Sequence, residues 1–107
     1  MFKLIRDKIP QVLAEKGLSC NFAQIKNKEL FDTFLKAKII EEVNELLQAK
    51  TVSEFLEELV DIQLIINTLA NEYKEEFNTV YHNKLEMYGE FNEQYIGFFE
   101  DTEKGRK

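Results

Sequence analysis

One cysteine, Cys20, is present in 107 residues, so no disulfide forms within the chain and a thiolate zinc cluster is excluded. A reducing cytoplasm suits such a chain best. Histidine is equally scarce. His82 stands alone, with no second imidazole or thiol at ligand spacing to make a zinc signature. One proline and four glycines leave few places where a helix must stop, which favours long helices joined by short turns. There is no Gly-rich phosphate loop, no nucleophile elbow and no Cys-His arrangement, so the common routes to nucleotide binding and acyl transfer have no residues to use. Nowhere does an apolar run reach the roughly 18 residues of a membrane span, and MFKLIRDKIP (residues 1–10) lacks the continuous apolar stretch of a signal peptide. The expectation is a protein neither secreted by that route nor placed in a membrane. Basic charge is short as well: 14 Lys and Arg stand against 20 Asp and Glu, for a net charge of −6. Duplex nucleic acid, which is bound by displacing counterions from its phosphates, is therefore excluded as a broad electrostatic partner. An acidic protein still binds phosphate where bound cations invert the local charge.

What is present, 44% hydrophobic and 32% charged residues, fits one compact domain over residues 1–107. So short a helical chain leaves apolar surface in reach of solvent, and pairing with copies of itself, as a homodimer or homotetramer, is expected.

The chain reads as helices. Residues 7–16 form a short one, with Asp7 as N-cap, Pro10 tolerated in the first turn, Ile9, Val12 and Leu13 on one side, and Gly17 as the stop. Residues 18–25 alternate imperfectly and serve as a connector leading to Asn27, a good N-cap. From residue 28 to about residue 49, Phe31, Phe34, Leu35, Ile39, Val43, Leu46 and Leu47 recur at steps of three and four, the mark of a long amphipathic helix. A break at residues 50–52 follows, and Thr51 with Glu54 makes the capping-box pattern that starts a third helix running to about residue 73. Its stretch LVDIQLIINTLA (59–70) is apolar nearly all round, so it is expected at the centre of the fold, covered by neighbours or by a partner chain. Residues 75–88 supply a fourth helix, with Phe77, Val80, Tyr81, Leu85 and Tyr88 as its apolar set and Gly89 closing it. An aromatic, extended tail (91–99) and a frayed polar end (100–107) complete the chain. The fold class is all-α: an antiparallel bundle of about four helices around a long central helical hairpin.

Acidic residues on that hairpin carry the chemistry. EEVNE (41–45) puts Glu42 and Glu45 three positions apart on the second helix, and ELVD (58–61) does the same for Glu58 and Asp61 on the third, so each helix presents a pair on one face. Residues 42 and 61, and likewise 45 and 58, lie equally far from the break. In an antiparallel hairpin they stand side by side. Two acids of a pair are then separated by about 4.5 Å along the axis, and neighbouring axes by about 8–10 Å. Either pair alone is what an acidic chain puts on a solvated helix face. The shared register, and Asp61 set between Val60 and Ile62, where an unpaired charge is costly, point instead to one site. Four converging carboxylates repel one another unless a cation compensates, and hard oxygen ligands favour Mg²⁺ or Mn²⁺. Glu41 and Glu57 point about 100° away from their neighbours. Either is a candidate base for a water beside the ligands, and both also fit a solvent-facing position.

Lys38, one turn before Glu42, sits where it meets a phosphate oxygen or neutralises an acid. Charge alone makes Lys3, Arg6, Lys8 and Lys84 surface residues. A carboxylate-bridged di-iron bundle is the rival metal chemistry, but it wants a Glu-x-x-His motif from two helices, and His82 is alone. A non-catalytic helical interaction module, its acids a solvated seam, is the rival to catalysis of any kind.

EEVNE followed by ELVD on a helical hairpin resembles the all-α nucleotide pyrophosphohydrolase superfamily that includes MazG, dimeric dUTPases and phosphoribosyl-ATP pyrophosphohydrolase. KLIRDKIP (3–10) and KLEMYGEF (84–91) are similar to a smaller group in it, described as MazG-like or phosphoribosyl-ATP pyrophosphohydrolase-like, so the resemblance covers most of the chain. It implies Mg²⁺ held by Glu42, Glu45, Glu58 and Asp61, and hydrolysis of a nucleoside triphosphate to the monophosphate and pyrophosphate. Such an activity clears non-standard nucleotides. Glu41, Glu42 and Glu45 are then the candidate catalytic residues, and Lys38, Lys84, Lys8 and Tyr88 the candidate substrate contacts. Met87 and Tyr88 stand where a basic residue is expected before the glycine of the fourth-helix motif. That departure counts against phosphoribosyl-ATP, the substrate of histidine biosynthesis, which is kept as the alternative; Tyr88 offers a face on which a base stacks.

Overall fold

A computed structural model describes residues 3–19 and 21–100. Its elements are α1 (Ile9–Glu15), α2 (Lys28–Gln48), α3 (Val52–Ala70) and α4 (Lys74–Tyr88), with a 3₁₀ turn at Asn71–Tyr73. The described residues contain no strand, so the chain is all-helical. Cys20 and most of the polar end expected to fray lie outside the described residues. The chain divides into two compact units, Met1–Asn71 with α1 to α3 and Glu72–Lys107 with α4.

Local chemistry sets the ends of the two long helices. Asn27 accepts the Leu30 N–H at 2.9 Å and so satisfies one of the open donors that start α2. Thr51 Oγ1 does the same for the Glu54 N–H at 3.1 Å at the start of α3. The reciprocal half of that box is displaced by one residue: Glu54 Oε2 accepts from the Lys50 N–H, at 3.0 Å. With only Ala49 to Thr51 between them, α2 and α3 fold back and pack against each other.

Three expectations need correcting. The first helix starts one residue late, at Ile9, and its N-cap is Lys8, which makes no side-chain cap, in place of Asp7. Pro10 explains the shift, because its ring fixes φ and pulls the helical start towards itself, where a missing N–H costs nothing. Gly17, at φ +75°, stops the helix as expected. The third helix ends as α-helix at Ala70 and tightens to 3₁₀ through Tyr73. The tail beyond Gly89 has a turn near residue 92 and then no regular structure, with Gln94 at φ 60°.

Burial is sparse. Among the described residues only Leu35, Ile65 and Glu42 are buried. Leu35 on α2 and Ile65 on α3 are the apolar centre of the first unit. Within the apolar stretch of α3, Ile62, Ile66 and Leu69 are half-buried while Leu59, Val60 and Leu64 are exposed, as are Phe55 and Leu56 ahead of it. In the second unit, Gly89 closes α4 by donating its N–H to the Leu85 carbonyl at 2.9 Å, and Phe77 stacks on Tyr81 one turn away. The apolar set expected to bury α4, from Phe77 to Tyr88, is exposed.

Candidate metal centre

A carboxylate is one of the three buried residues, and it stands where the two acidic motifs meet. Glu42 keeps 5% of its surface exposed, so its charge is largely removed from water and needs compensation. Glu42, Glu58 and Asp61 each offer an oxygen within 4.8 Å of those of the other two, and Glu41, Glu42 and Glu45 form a second such group. Glu42 belongs to both. Of the four expected ligands, Glu42, Glu58 and Asp61 come together in an inner triad, while Glu45, which is exposed, groups with Glu42 and Glu41 in an outer one.

The groups around these acids divide by charge. Lys38 Nζ lies 3.4 Å from Glu42 Oε1 and 3.4 Å from Glu41. Burial pulls the Lys38 ammonium down, but Glu41 and Glu42 outweigh it and hold its pKa above the ordinary value. Arg6 Nη1 lies 3.1 Å from Asp61 Oδ1. The sequence offered no role for Arg6 beyond a surface charge. Its partner is distant in the chain and reached through an irregular segment, so no periodicity or spacing announces the pair. Glu41 departs from its expected direction: a long, flexible side chain brings its carboxylate to within 4.8 Å of those of Glu42 and Glu45.

Neither Glu42 Oε2 nor Glu58 Oε2 meets a donor when both groups are ionised, and both atoms are shut off from solvent. One shared proton relieves the pair. The hydrogen bond to Glu42, loss of solvent, and the charges of Glu42 and Glu45 push the Glu58 carboxyl up to about 7. For Glu42, burial acts upward, but hydrogen bonds from Glu58 and Lys38 and the Lys38 charge prevail and hold it below its ordinary value.

This has a consequence for stability without metal. The folded chain keeps the Glu58 proton up to about pH 7, while the unfolded chain releases it near 4.5. The stabilisation is complete below 4.5 and disappears as pH rises through 7. In chelator, the melting temperature is expected to fall between about pH 5 and about pH 7.5, and Glu58→Gln is expected to flatten that dependence. A wild-type profile as flat as the variant's would show that the two carboxylates do not share a proton.

Beside the acids opens a cleft of about 740 Å³, within the range that holds a nucleotide-sized ligand. Lys3, Arg6 and Lys38 supply its cations, Asp7, Glu42 and Asp61 its carboxylates, and Phe31, Leu35 and Ile65 part of its apolar wall. Of the other expected substrate contacts, Lys8 is exposed and outside the cleft lining, although Asp7 and Ile9 line it. Lys84 and Tyr88 belong to α4 in the second unit, where both are exposed. No helix among the described residues is long and apolar enough to cross a membrane. Comparison with family models, with curated proteins and with solved structures gives no match.

Proposed function

We propose that this chain is a Mg²⁺-dependent nucleotide pyrophosphohydrolase of MazG-like type, active in the cytoplasm, that hydrolyses a nucleoside triphosphate to the monophosphate and pyrophosphate. The observation that carries the reading is Glu42: a buried carboxylate with an unpartnered oxygen, common to two acidic triads, at the wall of a cleft that also holds lysine and arginine. The donor set fits a hard divalent cation, since every atom is a carboxylate oxygen and two of them lack any other partner. Glu42, Glu45, Glu58 and Asp61 hold it. Bound there, Mg²⁺, or Mn²⁺ in its place, supplies positive charge for the phosphates and makes a water more acidic.

The chain's own groups do the rest. Glu41, at the edge of the outer triad, orients the attacking water and takes its proton. Water oxygen bonds to the α-phosphorus as the anhydride bond to the bridging oxygen breaks, and pyrophosphate leaves with the electron pair. Lys38 faces a phosphate oxygen, and the apolar wall with Phe31 receives the nucleoside. Lys8 is kept as an outer contact. Phosphoribosyl-ATP is the less favoured substrate because of Met87 and Tyr88.

A second reading has its own support. The open apolar side chains of α3 suit an interaction module, and they equally suit the homodimer or homotetramer proposed for the enzyme, in which a bundle of about four helices is completed. Sedimentation is expected to show a dimer or tetramer; a monomer at micromolar concentration would remove that part of the reading. The two functions separate in an assay of pyrophosphate release over standard and damaged nucleotides with Mg²⁺. Wild type is expected to release pyrophosphate from at least one of them, and Asp61→Asn to lose most of that rate. Equal rates in the two proteins would reject the enzyme.

A further inference from the structure

We propose that Arg6 is an exchangeable clamp for the polyphosphate group of the substrate, parked on Asp61 until a divalent cation claims that carboxylate. The proposal rests on reading the carboxylates as the cation site of a pyrophosphohydrolase, and it adds a residue and an order of events that the acidic motifs do not contain.

Placement is the first argument. Lys3, Leu4, Ile5, Arg6 and Asp7 all line the cleft, so the irregular segment ahead of α1 runs along its wall. Its one ion pair to α3 falls on Asp61, a member of the inner triad. Arg6 therefore already occupies a carboxylate on which the cation reading depends.

The pair is built to be exchanged. Arg6 is 66% exposed at its side chain while Asp61 is 26% exposed. A solvated guanidinium in such a pair is held weakly, whereas a carboxylate binding a divalent cation faces twice the charge at shorter range. Once the cation holds Asp61, Arg6 is next to positive charge and is repelled from it. The nearest demand for its donors is then an anion in the cleft. A guanidinium carries five N–H groups in a planar fork that matches phosphate oxygens, which gives it a geometric fit that Lys3 and Lys38 lack.

Charge accounts for the order of events. Among the groups that line the cleft, Lys3, Arg6 and Lys38 stand against Asp7, Glu42 and Asp61, with further acids, Glu41, Glu45 and Glu58, grouped around Glu42. A divalent cation offsets that negative charge and frees Arg6 in the same step, so polyphosphate is retained better with the cation than without it.

Two equilibrium titrations of the full chain test this, with Mn²⁺ alone and then with tripolyphosphate at saturating Mn²⁺. Arg6→Gln is expected to bind Mn²⁺ a few times more tightly, because a competitor for Asp61 is gone, and to bind tripolyphosphate about tenfold more weakly, the scale of one charge-assisted contact. Arg6→Lys keeps the charge without the fork and is expected between the two. A salt bridge that only fastens the N-terminal segment would lower the melting temperature and leave tripolyphosphate affinity unchanged, and that result overturns the proposal. Wild type that binds no Mn²⁺ overturns this proposal and the cation reading together. Wild type that binds Mn²⁺ and releases pyrophosphate, with Arg6→Gln indistinguishable from it, overturns this one alone.

Discussion

Glu42→Gln is expected to lower Mg²⁺-dependent pyrophosphate release by about a hundredfold or more, beyond the roughly 10–100-fold that follows loss of a group that merely supports a metal ligand. Glu42 is the only acid in both triads, so its amide removes an anionic oxygen from each at once. Above about pH 7, where Glu58 has lost its proton and both carboxyls are ionised, the same substitution is expected to raise the melting temperature of the metal-free chain. An amide at position 42 no longer repels Glu58, and its N–H offers a donor to the Glu58 Oε2 that now has none. Opposite signs for activity and stability separate a site residue from a packing residue, because a group kept for the fold would lose both. Thermal melting in chelator beside a pyrophosphate assay reads the two effects. A variant that is destabilised, or one that keeps its rate, contradicts the assignment.

Leu35→Ala should act the other way, on the fold first. Leu35 and Ile65 are the only buried apolar residues among those described, and both stand on the packed helices α2 and α3. Truncating a buried leucine costs about 2–5 kcal/mol, and the low end, about 2 kcal/mol, is expected here. Leu35 lines the open cleft, so the space it leaves joins existing solvent and no sealed cavity forms. For a small domain with a total stability of about 5–15 kcal/mol, such a loss is large. Urea unfolding of the chain measures it; a loss below about 0.5 kcal/mol would mean that the centre of the fold lies elsewhere.

The parts of this structure legible in the sequence are the local ones. Asn27 and Thr51 cap α2 and α3 with bonds that span three residues, and the break between those helices falls where the caps put it. The meeting of the two acidic motifs was legible for a related reason: a tight connection fixes which residues of two helices stand opposite. Competing local signals and tertiary terms decided what was misread. Pro10 overrode Asp7 as the starting signal of α1. The all-round apolar stretch of α3 was expected to be covered by neighbours or by a partner chain, and within the single chain Leu59, Val60 and Leu64 are exposed: periodicity reports what a surface needs and not what is there to cover it. The pairing of Arg6 was not legible, although the residue stands in the KLIRDKIP motif. A charge in an irregular segment has no register, and its pairing with Asp61 follows from the path of the chain along the cleft.

That carboxylate set is the centre of the account, and Mn²⁺ tests it directly. Anomalous diffraction from a crystal soaked in Mn²⁺ is expected to show an ion between α2 and α3, in contact with carboxylate oxygens of Glu42, Glu45, Glu58 and Asp61. An ion-free site at saturating Mn²⁺, or Mn²⁺ bound only by acids outside this set, would contradict it.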